Sequence, residues 1–359
     1  MSPLATGSST RGVRLTVRFS VFIPIFNDAR WLPGAVESLL AQTHGEWELV
    51  IGDNVSSEDI AELVGRYPDE RIVYHRWPTH VSFADNANRT IGLCRYEWLQ
   101  YLSADDRLHP DCLARMAARV GDLVDVGVVP AMVLTGCRRL DEWGFPAEAT
   151  YFQTHRLKRI SDGLYDAREW LRITAAPGAL PWNIGSLAIS RDVLSVLGGY
   201  FRSEIGLTPD VEMALRVSAY GPVAYLAEPL LNYTVRDDSI TGGLSYRNLA
   251  GNATNTIMGS ALLSGLAVHE DRGTVSRADH DYVMRMVAES HVGRALQRRY
   301  RPGGHGRRGA LRDIRRALLI SPGVFLSARQ LLRALAAIVA PSFVIRRTKA
   351  YFMRRGRWF

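Results

Sequence analysis

Two adjacent carboxylates, Asp105 and Asp106, close the apolar run Trp98–Leu102 after the small residues Ser103 and Ala104. Hard carboxylate oxygens suit Mg²⁺ or Mn²⁺, and a cation held there neutralises a diphosphate. His109-Pro110 then opens a helical pattern with Leu113, Met116, Ala117 and Val120 on one face. An acid capping that helix is the plainer use of the same residues. Asp210 offers a second kind of chemistry. It begins an expected helix, Thr208–Arg216, in which Thr208 would cap and Pro209 would take the first helical position. A carboxylate so held can take a proton from a hydroxyl, or it can simply favour the helix dipole.

The elements that must position these groups are legible in outline. Val17–Phe26, Glu46–Gly52, Arg71–Arg76 and Trp98–Leu102 are short apolar runs rich in β-branched and aromatic residues, hence expected strands. Helical spacing separates them: Leu32, Val36, Leu39 and Leu40; then Ile60, Leu63 and Val64; then Phe83–Leu93. Such alternation implies parallel βαβ units, and Val124–Leu134 is the expected fifth strand. Asn27, Asp53 and Asp105 then share one rim, at the carboxyl ends of the strands, where open α/β sheets bind nucleotides. Neither G-x-G-x-x-G nor G-x-x-x-x-G-K-[ST] occurs. Phosphate would therefore fall to a metal and to side chains.

Composition sets the bounds. With 359 residues, 47% of them hydrophobic, the chain can bury one large or two modest cores. Three cysteines, Cys94, Cys112 and Cys137, have no metal-ligand spacing and argue against a disulfide framework, so a reducing cytoplasm is expected. Residues 1–16 are expected to be a disordered lead, with no signal peptide, and no apolar run is long enough to span a membrane. The net charge of +8 is segregated. Residues 285–359 hold 18 Arg and Lys against two acids, +16, which leaves −8 on the remainder. A cationic tail wants a polyanion, either an anionic membrane or nucleic acid, and the acidic body speaks against nucleic acid.

Four segments in order, Ile23-Pro24-Ile25-Phe26-Asn27, Asp53-Asn54-Val55-Ser56-Ser57, Asn86-Ala87-Asn88-Arg89 and Ser103-Ala104-Asp105-Asp106, resemble family 2 glycosyltransferases. The resemblance covers roughly Phe19–Thr241. It implies an α/β chain with a GT-A nucleotide-sugar-binding domain, a mostly parallel sheet with flanking helices, and a helical C-terminal extension. It implies an inverting transferase using Mg²⁺ or Mn²⁺, with a UDP- or dTDP-sugar donor and a glycan, lipid-linked or small-molecule acceptor. Asp53 would read the base. Pro24, Phe26, Asn27, Asn88, Arg89, Ser103, Ala104 and Asp105 would line the donor, Arg89 facing the phosphates. Asp105 and Asp106 would hold the metal, although Ser103 stands where the family often has the first acid. Asp210 would be the general base, with Pro209 in place of the usual Glu and Glu212 in place of a second Asp. Arg236 would stand in for a His on a loop, with Ser239 and Thr241, that closes over the diphosphate. A catalytically silent relative is the rival reading that these departures support.

The expected organisation is a catalytic domain at 17–243, its nucleotide half 17–134 and its acceptor half 135–243, followed by a basic helical region at 244–359. Arg138–Thr174 has weak periodicity and is expected to be loop-rich. Val223–Leu226 and Leu230–Val235 read as two short strands. Tyr246–His269, Arg277–Tyr300 and Ala328–Ile345 read as helices, with Arg301–Gly309 a flexible basic linker. Beyond them, six basic residues from Arg346 to Arg357 are interleaved with Tyr351, Phe352, Trp358 and Phe359. That pattern suits a membrane headgroup region, and it equally suits a solvated basic face on a packed helix. Attachment to the inner face of the membrane is the expectation for the tail.

Overall fold

The computed structural model describes residues 16–146, 158–176, 180–202, 209–236, 253–300 and 306–339. The expected lead, the Thr208 cap, the Ser239–Thr241 loop, Arg301–His305 and the aromatic-basic run after Val339 lie outside the described residues.

Strands β1 (Phe19–Ile25), β2 (Trp47–Asp53), β3 (Ile72–Arg76) and β4 (Trp98–Tyr101) form a parallel block in the order β3-β2-β1-β4. Helices α1 (Leu32–Leu40), α2 (Ile60–Val64) and α3 (Phe83–Ile91) connect them. Each of the two faces of β1 packs into its own core. Phe22 enters one with Tyr101 and Leu134, while Val21 and Ile23 enter the other with Leu32, Leu39 and Met116. A strand covered on both faces must be apolar throughout, which is why its sequence does not alternate.

The second half of the sheet is mixed. A two-residue β5 (Arg107–Leu108) precedes α4 (Cys112–Asp125), β6 (Met132–Leu140), β7 (Gly163–Tyr165), α5 (Ala167–Ala175), β8 (Leu187–Ser190), α6 (Arg191–Leu197), α7 (Pro209–Ser218) and β9 (Val223–Thr234). The order continues β4-β8-β6-β9-β5, with β8 antiparallel to both neighbours and β6 parallel to β9. The α/β class with flanking helices stands, but parallel pairing dominates only the first half.

Two strand expectations need correction. The fifth strand is Met132–Leu140, because α4 carries its apolar stripe on to Leu123 and the chain turns at Gly127, φ +80°. The two short strands are one, β9. Its register shifts between Thr135 and Cys137 of β6, opposite Pro229, which has no N–H to give the ladder.

Among the described residues four α-helices follow: α8 (Ala253–Asp271), α9 (Arg277–Tyr300), α10 (Gly306–Ile320) and α11 (Ala328–Val339). Residues 306–309, expected to be linker, open α10. The region is anchored to the α/β body through Asp279, which is buried and pairs with Arg168 and Arg172 of α5. Between α9, α10 and α11 lies a small core of Ala288, Val292, Ala295, Ala310, Ile314, Ala317, Ala334 and Ala337.

Candidate active site

The rim at the carboxyl ends of β1, β2 and β4 is built from strained loops stapled to each other. Among the described residues, non-glycine positive φ occurs at Asn27 (60°), Asp28 (66°) and Val55 (66°), all in the loops after β1 and β2. A β-branched residue in that region is a true outlier, and such strain persists where surrounding contacts over-determine it. Those contacts are present. The Asn27 N–H donates to Ser56 Oγ at 2.8 Å, Ser57 N–H donates to Asn27 Oδ1 at 2.9 Å, and Ala29 N–H donates to Glu58 Oε2 at 2.8 Å.

At the β2 end, Asp53 is 0% exposed and well supplied with donors. Oδ1 accepts from Ser56 N–H at 2.8 Å, and Oδ2 accepts from the Tyr74 hydroxyl and Arg76 Nη1, each at 2.7 Å. Parallel register sets Asp53 opposite Arg76. Burial alone would raise the carboxyl's pKa. The Ser56 and Tyr74 hydrogen bonds and the Arg76 charge outweigh it and hold Asp53 below the ordinary aspartate value. Burial and the neighbouring carboxylate push Tyr74 up to about 12. Direct contact of Asp53 with a base is therefore closed in this geometry. What it presents to solvent is Arg76, 45% exposed along its side chain. Phe26, 49% exposed, packs against His80 with ring centroids 4.5 Å apart, and Pro24 is half-buried beside it.

Arg89 is engaged within the protein. Its guanidinium donates to Asn86 Oδ1, the Thr79 carbonyl and Asn54 Oδ1 at 3.1, 2.9 and 2.6 Å, and lies over Trp77. It latches the 77–82 loop onto α3. Asn88 is likewise engaged within the protein. Oδ1 accepts from the N–H groups of Tyr200 and Phe201, and Nδ2 donates to the Phe201 carbonyl. Asn88 thereby clamps the turn after α6, where Gly198 and Gly199 take φ of 71° and 146°. From the other side Arg216 donates to the Gly199 and Tyr200 carbonyls at 3.1 and 2.9 Å.

At the β4 end the two acids part company. Asp105 is partly exposed, and its Oδ2 accepts from Arg236 Nε at 2.7 Å. Arg236 also pairs through Nη2 with Asp28 Oδ1 at 2.9 Å and lies 5.4 Å from the Trp31 ring centre. Asp28, Trp31, Asp105 and Arg236 thus form one cluster at the mouth. Ser103 is half-buried with its hydroxyl 3.4 Å from that of Tyr101, and Ala104 is buried. Asp106 turns inward: Oδ1 accepts from Thr234 N–H at 2.9 Å, and Oδ2 is buried without a partner. Burial, and then the Asp105 charge, raise its pKa well above the aspartate value. The expected metal-ligand role of Asp106 does not fit this placement; it braces the end of β9.

The donor set at the mouth fits a divalent ion bound largely through its substrate. It is all hard oxygen, from Asp105 and Asp28, and among the described residues no group of three or more His, Cys, Asp or Glu converges as a metal cage. An ion of this class keeps waters and takes few protein ligands.

Asp210 lies in the first turn of α7, half-buried. Burial raises its pKa, with its own and Val211's amide opposing. The Tyr200 hydroxyl is buried near Tyr101 and Asp210, and burial above all raises its pKa well above the usual tyrosine value. Glu212, the other acid of this turn, is 0% exposed. It holds Arg216 through both oxygens at 3.1 Å and accepts from Ser264 Oγ at 2.8 Å. It is therefore committed to holding α7, α8 and the Gly198–Phe201 turn together.

Sequence reasoning missed Asp28 as an ion-pair partner, and also Trp31, Tyr74, Arg76 and Thr234. Arg76 carried a signal: it ends the strand next to β2, so parallel register brings it beside Asp53. Thr234 carried none, since its bond to Asp106 depends on β9 closing over the β4 tip.

Residues 20–168 match the family described as glycosyl transferase family 2. A PGL/p-HBAD biosynthesis glycosyltransferase of Mycobacterium bovis (strain BCG / Pasteur 1173P2) is 40% identical over 108 residues, covering 29% of this chain and 42% of the relative. The chain thus matches under half the length of that curated relative. Among solved structures, S. aureus TarS 1-349 in complex with UDP-GlcNAc superposes with a TM-score of 0.53 at 13% identity, over 96% of this chain and 93% of that one. The mannosyltransferase PcManGT from Pyrobaculum calidifontis, in complex with GDP-Man and Mn²⁺, gives 0.50 at 16%, over 95% and 88%. At those identities the structural likeness establishes the fold.

Proposed function

We propose, from the match of residues 20–168 to the glycosyl transferase family 2 model, that this chain transfers a sugar, with inversion, from a nucleoside-diphosphate sugar to an acceptor hydroxyl. The observation that carries the reading is the cluster at the mouth, Asp105 and Asp28 bracketing Arg236 at 2.7 and 2.9 Å. Two carboxylates and a guanidinium meeting from the ends of β1, β4 and β9 are the groups needed to hold a diphosphate and to offset its charge as it leaves.

In this reading the base lies over Phe26 and beside Arg76, which Asp53 and Ser56 fix in direction. Asn27 and the strained turn at Asp28 bring backbone close to the donor, and Ser103 and Ala104 form the floor before Asp105. Asp105, with Asp28 beside it, would hold Mg²⁺ or Mn²⁺, which when bound supplies positive charge against the leaving diphosphate. Arg236 shares that task by moving from its carboxylates to phosphate oxygens, where a bidentate contact is available. Asp210 takes the proton of the acceptor hydroxyl, and its raised pKa suits a base. Single displacement from the face opposite the diphosphate gives inversion. UDP-sugars are the first donors to try, supported by the UDP-GlcNAc complex of TarS, with GDP-mannose second, supported by PcManGT. A glycan or lipid-linked acceptor and a place at the inner face of a membrane complete the proposal.

The test is turnover. Wild type with Mn²⁺ should release nucleoside diphosphate from one of these donors in the presence of acceptor, and Asp105→Asn should lose at least 100-fold of that rate while keeping its melting temperature. Asp105→Asn at wild-type rate would remove the mouth cluster from the mechanism. One observation favours a second reading, nucleotide-sugar binding without turnover: Asp105 Oδ2 is already taken by Arg236. Donor-dependent thermal stabilisation without turnover for any donor would select it.

A further inference from the structure

The chain carries a surface that this chemistry does not use. The inner side of α10, Ala310, Asp313, Ile314 and Ala317, packs into the small alanine-rich core. Its outward arc carries Arg307, Arg308, Arg312, Arg315 and Arg316 with Leu311, Leu318 and Leu319 among them, the last 75% exposed. In α11, Ala334 and Ala337 face inward while Leu331, Leu332, Leu335 and Val339 line the outside. Leu326, in the turn between the two helices, is 91% exposed.

Single exposed leucines need no explanation; a row of them rimmed with charge of one sign does. Residues 285–359 contain two acids, and both are engaged. Asp313 is buried against Arg294 and Arg298, and Glu289 accepts from Gln330 Nε2 at 2.8 Å. Among the described residues no acid forms an ion pair with the outward arginines. A second copy docking here would press one arginine arc against another. Nucleic acid would meet the arginines and leave the leucines in water. An anionic bilayer interface matches both features, because leucines enter the acyl boundary while guanidinium groups stay with the lipid phosphates. We infer that the outer faces of α10 and α11 form a docking surface for an anionic phospholipid bilayer. The inference rests on the membrane placement proposed above, not on the transfer chemistry, and so the two can fail separately.

The full-length protein is mixed with phosphatidylglycerol–phosphatidylcholine vesicles or with pure phosphatidylcholine vesicles, and partitioning is read by flotation. Wild type should float with the anionic vesicles and be released by high salt. Leu332→Glu with Leu335→Glu changes only exposed positions and should lower partitioning at least tenfold. Arg308→Gln, Arg312→Gln and Arg315→Gln together should cost roughly fivefold per arginine, about 1 kcal/mol each, and erase the preference for anionic lipid. UDP binding, measured by calorimetry, should be unchanged in both variants. Undiminished flotation of both variants overturns the inference. So does a dimer, seen by light scattering, that Leu332→Glu dissociates in a protein that never floats. Tight duplex-DNA binding indifferent to the leucine changes, again without flotation, overturns it as well.

Discussion

At the nucleotide end of the rim, Asp53 is enclosed but meets Ser56, Tyr74 and Arg76, and it is held ionised. At the proposed transfer end Asp210 is half-buried and desolvated too, yet backbone amides are what oppose that desolvation, and it is driven towards protonation. Burial is common to both, so donor supply decides the outcome. The difference separates two jobs. A group that fixes the shape of a recognition surface should not change charge at working pH, whereas a group that accepts a proton must be able to.

The largest expected effect tests the transfer end. Asp210→Asn keeps shape and removes basicity, and should lower kcat by roughly 10²–10⁴-fold, the range for a lost general base, with donor affinity intact. Single-turnover kinetics with saturating donor checks it; a loss of a few-fold would relocate the base. Glu212→Gln is the informative control. It breaks a buried pair and should lower the melting temperature without removing the acid limb of the pH profile.

The pH dependence then sharpens the contrast. Asp210 must be ionised to act, so kcat/KM should rise with pH through its raised pKa, with the acid limb above the ordinary aspartate range of about 4. For stability the signs are opposite. Asp53, depressed, contributes stability above its unfolded pKa that is lost as pH falls through the folded value. Asp210, raised, contributes below its unfolded pKa and loses that contribution as pH rises through the folded value. At pH 7 Asp53→Asn should melt earlier than wild type and Asp210→Asn should not. Both melting earlier by equal amounts would erase the distinction.

The parallel half was legible because strands buried on both faces leave continuous apolar runs that end in polar breaks. Asp53 and Asp105 could be set on the rim from those breaks alone. The pairing of Asp28 with Arg236 was not legible, since it joins the first strand's loop to residues after the last. Asp106 misled because sequence adjacency to Asp105 says nothing about which side of a strand tip each carboxylate takes. The fifth strand slipped because the apolar stripe of α4 runs almost without a break into that of β6, and periodicity alone does not divide such a run. In α11 the exposure of Leu331, Leu332 and Leu335 was not legible, since helical spacing does not say which face a neighbour covers.

Two smaller effects probe how the nucleotide end divides its work. Asp53→Asn preserves the acceptor oxygen for Ser56 but removes the charge that aims Arg76. A hydrogen bond to a charged group is worth about 1.5–3 kcal/mol, so donor affinity should fall about tenfold to a hundredfold. Tyr74→Phe should do much less. It removes one donor from Oδ2, but Arg76 still holds the same oxygen at 2.7 Å and Ser56 N–H still holds the other at 2.8 Å, so the carboxylate stays supplied and aimed. The phenol is not an acid here, since burial and Asp53 push it up to about 12, and so no charge is lost with it. Donor affinity measured by calorimetry should therefore fall only severalfold, and by the same factor at pH 6 and pH 9. A loss as large as that of Asp53→Asn would mean that Tyr74, rather than Arg76, is the group Asp53 exists to position.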